Sequence, residues 1–300
     1  MLPIRPGMLI HVLFSESRGQ PGMTCEKARF AADTGFYRAV EIPEIPDERE
    51  RADLRRLVED GDLKLVYWVS FLQLEQPVSI SAPDEDERRR AVQALLPQIQ
   101  FAAECGAHTV GILPGRDVGP ERRPLAIQSL HRSILDLAEE GEKHGLQRFE
   151  METMDREAHK KHILGPTDEA LRFIAEVRKQ VPEFYMAFDT SHLRLLGEDP
   201  ADSLRKAADV VGQIHLANCV PDPAHPMYGD HHMPLGPPGF LDRAEIVRLF
   251  TAGVETGVIG PRAPVVSVEV AAPGGEASLG VEREIRTLLQ DVAADMGWTA

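Results

Sequence analysis

The tetrapeptide Asp189-Thr190-Ser191-His192 closes the apolar run Phe184–Phe188, setting a carboxylate and an imidazole at the tip of a short buried strand. Capping a helix is the plainer use of such residues, since Asp, Thr and Ser all cap well. Recurrence favours chemistry. Glu152 ends the preceding run Gln147–Glu152, His215 lies in Val211–Leu216, and Glu269 stands near the end of Val265–Val270. Glu152, Asp189, His215 and Glu269 together suit one octahedral Mn, Mg or Co ion and could also hold Zn. Lys and Arg are absent from these run ends. Gathering the acids in one pocket would therefore cost several kcal/mol unless a cation sat among them. Glu150 shares a strand face with Glu152, but Glu152 is nearer the exit of the strand and is the expected ligand.

A second constellation lies in Tyr228–Gly236, where Asp230 and His232 flank His231 and two glycines allow tight turns. Such a cluster, in a Pro-rich loop of about twenty residues, exceeds what a connector needs. The segment His159-Lys160-Lys161-His162 reads either as a contact for an anionic substrate or, more simply, as a surface helix turn. Trp68 and Phe71 read either as the wall of a sugar-sized pocket or as barrel filling.

The elements that must position these groups follow from periodicity. Eight strand-like runs, at 8–14, 36–42, 63–71, 109–113, 147–152, 184–188, 211–216 and 265–270, alternate with helical patterns. The clearest helices are 24–34, 84–105, 122–144, 167–180, 242–253 and 280–294, several of them stopped by glycine. Eight such pairs predict an α/β fold, a single (β/α)8 TIM barrel filling residues 1–300 as one domain. A doubly wound dinucleotide-binding sheet is disfavoured, because no Gly-x-Gly-x-x-Gly follows the first strand. In a barrel the C-terminal strand ends converge, so the four metal-capable residues would meet on one face.

The formal net charge of -15 repels phosphate backbones, so nucleic acid is not an expected partner. Three scattered cysteines, without a CxxC spacing, fit a reducing cytoplasm. No apolar run approaches the ~20 residues of a membrane span, and the N-terminus has no signal-like apolar core. A cytoplasmic location without membrane attachment is the expectation.

Taken together, Glu152-Thr-Met-Asp-Arg156 with Leu164-Gly-Pro-Thr167, Asp189–His192, Ile214-His-Leu216, Gly229-Asp-His-His232 and Ser267-Val-Glu269 resemble the xylose isomerase-like TIM barrels. That superfamily joins sugar and sugar-phosphate isomerases and epimerases to endonuclease IV. The resemblance implies that Glu152, Asp189, His215 and Glu269 ligate one divalent ion. It also implies that the two glutamates form the acid/base pair and that His192 holds a substrate oxygen. Asp230, His232 and Trp68 are expected to contact substrate. The implied reaction is proton transfer next to the carbonyl of a carbohydrate, through a metal-stabilised enediolate. Elimination on an oxidised sugar by a lyase or deglycosidase, and a non-catalytic sugar-binding barrel, are the other readings. Endonuclease IV-like chemistry would match His192, Asp230 and His232 to an outer zinc. Its other outer zinc needs histidines where this chain has Ser70-Phe71 and Leu113-Pro114. The resemblance leaves a homodimer or a homotetramer open.

Overall fold

The computed structural model describes residues 2–75 and 79–298. Eight parallel strands close into a barrel: β1 (Arg5–Leu9), β2 (Ala39–Ile42), β3 (Lys64–Trp68), β4 (Thr109–Ile112), β5 (Phe149–Glu152), β6 (Phe184–Asp189), β7 (Val211–Ala217) and, after two short strands, β10 (Val265–Glu269). The ring is closed by β1 pairing with both β2 and β10. Strands buried on both faces need continuous apolar stretches, which is why they stood out in the sequence. The connecting helices pack outside them, and the expected (β/α)8 barrel is the fold observed.

Local chemistry sets where the helices begin. Asp47, Asp84 and Asp242 each accept a backbone N–H three residues on, at 2.8, 2.9 and 3.0 Å, capping the helices Glu48–Asp60, Glu85–Glu104 and Arg243–Thr256. Asp189 caps Thr190–Leu195 in the same way, its Oδ1 accepting from the N–H groups of Ser191 and His192. The plainer use expected of this side chain, capping, is thus filled by its Oδ1.

Two runs give way to helix well before the expected strand end. The first does not continue to Phe14: β1 ends at Leu9 and Ile10–Leu13 turns into a short helix. The third ends at Trp68 and continues as the helix Ser70–Glu75. Both turns bring residues of the same apolar run onto the C-terminal rim of the barrel. The loop after β7 carries an antiparallel pair, β8 (Cys219–Val220) and β9 (Gly229–Asp230), which the sequence did not signal. Among the described residues no helix is long and apolar enough to cross a membrane.

Candidate metal centre

Glu152, Asp189 and Glu269 end β5, β6 and β10, His215 lies near the end of β7, and the barrel brings one ligand-capable atom of each to within 4.8 Å of all the others. His215 is central. Its Nδ1 lies 3.1 Å from Glu152 Oε1 and 3.5 Å from Glu269 Oε2. Asp189 Oδ1 is taken by its capping bonds and by the Ser191 hydroxyl, whereas Oδ2 is buried without a hydrogen-bond partner. An orphaned carboxylate oxygen in a cluster of hard donors is the arrangement a divalent cation would complete, so these residues fit such an ion.

The electrostatics are those of crowded acids. Burial pushes Glu269 up to about 7. For Glu152 burial acts in the same direction, but the hydrogen bond from His215 and its charge outweigh it and hold the carboxyl below its usual range. Burial opposes charge on His215 too, and the carboxylates of Glu41 and Glu152 overcome it, raising the imidazole well above its ordinary value. A cation at this point would favour the charged form of every carboxylate around it.

Glu41, on β2, is the buried residue that sequence reasoning missed. It crosses the barrel interior to accept from His215 Nε2 at 3.0 Å, Trp68 Nε1 at 2.7 Å, Gln213 Nε2 at 3.1 Å and the Ser267 hydroxyl. These donors outweigh the burial and hold its carboxyl down, at about 2. With Nε2 committed to Glu41, His215 presents Nδ1 to the carboxylates, a carboxylate–imidazole arrangement that fixes both tautomer and ring orientation. The signal was available: Glu41 sits in an otherwise apolar run, but at two-sided burial nothing marks which face points inward.

Trp68 is buried in the barrel and also lines the pocket at its mouth. Its ring lies 5.5 Å from the His215 ring, while its other neighbour is Gly111 on β4. A Cβ at Gly111 would fall 2.5 Å from the indole, so the glycine makes room for the ring.

The second constellation also converges. His192 Nδ1 lies 3.2 Å from Asp155 Oδ2, and His232 Nε2 lies 3.2 Å from Asp230 Oδ2 and 3.3 Å from Glu269 Oε1. His232 has φ 47°, a left-handed conformation unusual for histidine, and its carbonyl is pinned by the Ala271 N–H. Around it the long loop is tied down. Asn218 donates to the carbonyls of Pro234 and Gly236 and accepts from Leu241 N–H, each at 2.8 Å. Gly239 passes so close to the Asn218 amide that any Cβ would collide with it.

The segment 159–162 corrects the surface-turn expectation. Asp155, fully buried, accepts the N–H groups of His159 and Lys160 and folds the chain back over the barrel mouth. Lys160 Nζ then lies 3.1 Å from Asp230 Oδ2, and His162 is buried. The cation that no strand end supplies thus arrives from a loop. His11, on the helical turn after β1, lines the same pocket. It packs edge-on against Phe71, and its Nδ1 is buried without a hydrogen-bond partner among the described residues. An apolar wall of Leu9, Val12, Phe71 and Leu113 faces the polar side.

A family model described as xylose isomerase-like TIM barrel matches residues 28–280. The chain belongs to that family. No curated protein matches the sequence. Solved structures with the same barrel include an L-ribulose 3-epimerase, 18% identical over 98% of this chain and 93% of that one, with a TM-score of 0.70. Another is the D-psicose 3-epimerase of Clostridium cellulolyticum H10, 16% identical over 97% and 99%, with a TM-score of 0.68. A third is the 3-keto-D-glucoside 4-epimerase of E. coli, 15% identical over 98% and 100%, with a TM-score of 0.67. At these identities the likeness to each is one of fold.

Proposed function

We propose that this family member is a divalent-metal-dependent isomerase or epimerase of a sugar or sugar phosphate. The observation that carries the reading is the meeting of Glu152, Asp189, His215 and Glu269 at one buried point, with an unpartnered Asp189 oxygen among them. The fold shared with three sugar epimerases supports it.

Glu152, Asp189, His215 (through Nδ1) and Glu269 would hold the ion. When bound, it would supply Lewis-acid polarisation of a carbonyl and its neighbouring hydroxyl. Glu152 and Glu269 project from strands on either side of His215, so one can take a proton from the carbon beside the carbonyl while the other returns one. Return to the opposite face gives an epimer, and return to the adjacent carbon an isomer. His192, steadied by Asp155, and His232, steadied by Asp230, would donate to substrate hydroxyls, with Lys160 and His11 at the rim. Trp68 would wall the sugar.

The test is solvent exchange. Incubating the metal-loaded protein with a panel of ketoses in D2O should place deuterium beside the carbonyl. Glu269→Gln, which keeps size but removes the base, should abolish that exchange while the protein stays folded. Exchange at the wild-type rate in this variant would overturn the acid/base assignment. Binding of ketoses without any exchange in the wild type would favour a non-catalytic barrel.

A further inference from the structure

We propose that the N-terminal mouth of the barrel, at the end opposite the candidate metal centre, is a second binding site. Its ligand would be a small hydroxylated oxyanion, a phosphate monoester or a carboxylate. The cavity there has a volume of about 480 Å³, inside the range of small-molecule pockets. Its frame is made where strands begin: Lys64 opens β3, Arg148 immediately precedes β5, Tyr185 is the second residue of β6 and Val265 opens β10.

Four cations, Lys64, Arg148, Arg178 and Arg262, line this cavity against two carboxylates, Glu150 and Asp209. In a chain of net charge -15 that is a local reversal, not the general field. Arg148 has a carboxylate partner, Glu150 Oε1, at 2.7 Å. Arg178 spends its donors on the carbonyls of Phe184 and Asp209, at 2.7 and 3.0 Å, which leaves its charge unneutralised. The hydrogen-bond partner of Lys64 is His108 Nε2 at 3.0 Å. Among the described residues neither Lys64 nor Arg262 has a carboxylate at ion-pair distance. Burial, together with the charges of Arg5 and Arg148, pushes the Lys64 amine below its ordinary value. An entering anion relieves that repulsion.

Two of the cations are held in place before any ligand arrives. The guanidinium carbons of Arg148 and Arg178 lie 4.0 and 4.4 Å from the centroid of the same Tyr185 ring. Glu150 Oε2 is buried with no partner and needs a donor, which a hydroxyl on the ligand would be. Val66, Pro182 and Val258 offer an apolar side to a short carbon chain. The cluster therefore asks for an organic oxyanion with a hydroxyl group.

The experiment is calorimetry at constant ionic strength with three probes: inorganic phosphate, glycerol 3-phosphate and D-glycerate. They are titrated into the wild type, Lys64→Gln, Lys64→Arg, Arg262→Gln and, for the opposite end of the barrel, Glu152→Gln. Saturable binding at one equivalent is expected for at least one organic probe. It should weaken about tenfold in Lys64→Gln and Arg262→Gln, the scale of one hydrogen bond to a charged group. Lys64→Arg and Glu152→Gln should retain it. The tighter of the two organic probes tells phosphate from carboxylate. No saturable binding of any probe, equal affinity in Lys64→Gln and wild type, or loss of binding in Glu152→Gln would each overturn the proposal.

Discussion

Replacing Glu41 tests whether a residue that touches no expected substrate controls the candidate metal centre. Its carboxylate accepts from four donors contributed by β3, β7 and β10, and one of them is His215 Nε2. Glu41→Ala would strand all four in the dry barrel interior at about 1–3 kcal/mol each. That approaches the whole stability of a typical domain, ~5–15 kcal/mol, so the alanine variant would report on folding alone. Glu41→Gln is the sharper perturbation. It keeps shape and one acceptor oxygen but turns an NH2 toward donors and removes the charge that orients His215. Loss of such an outer carboxylate typically weakens metal binding 10–100-fold, or roughly 1.4–2.7 kcal/mol. The assay is competition for Mn or Zn against a chromogenic chelator, with urea unfolding of the metal-free protein run in parallel to separate stability from affinity. Ion affinity within twofold of wild type, in a variant that still folds, would refute the view that Glu41 sets the presentation of His215.

Three other outcomes are expected. His232→Gln should keep about one equivalent of metal while raising KM about tenfold, the scale of one hydrogen bond to a charged group; metal loss on elemental analysis would move His232 into the ligand set. Burial raises Glu44, whose carboxylate accepts from Leu72 N–H, to about 7, so the folded state favours its neutral form. Its contribution to stability is therefore full below the unfolded value near 4.5 and is lost as pH rises through about 7, by roughly 3 kcal/mol. Glu44→Gln should remove that slope, and urea midpoints at pH 5 and pH 8 that change in parallel for both proteins would contradict it. Gly111→Ala drives a methyl into the Trp68 ring and should cost about 1–3 kcal/mol in urea unfolding; an unchanged midpoint would mean that the ring has room to move.

Much of the molecule was readable from composition and pattern. Strands buried on both faces must be apolar throughout, so all eight were visible as runs, and a charged residue ending such a run is conspicuous. Glu152, Asp189 and Glu269 stood out for that reason and His215 as an imidazole within such a run, and the barrel brings the four together. The turns after β1 and β3 were not legible, because a continuous apolar run such as Met8–Phe14 looks the same as strand or as buried helix. Where β1 stops decides whether His11 lies within the wall or at the pocket, and only packing settles that. Glu41 sits four-bonded across the barrel from partners up to 226 residues distant in sequence, a separation that no local pattern encodes. Lys160 likewise became a site residue through the grip of Asp155 on two backbone amides and the distant Asp230. Side chains at strand ends are announced by local contrast in polarity; those that steady them are chosen by closure of the barrel, and their chemistry exists only once the chain has folded.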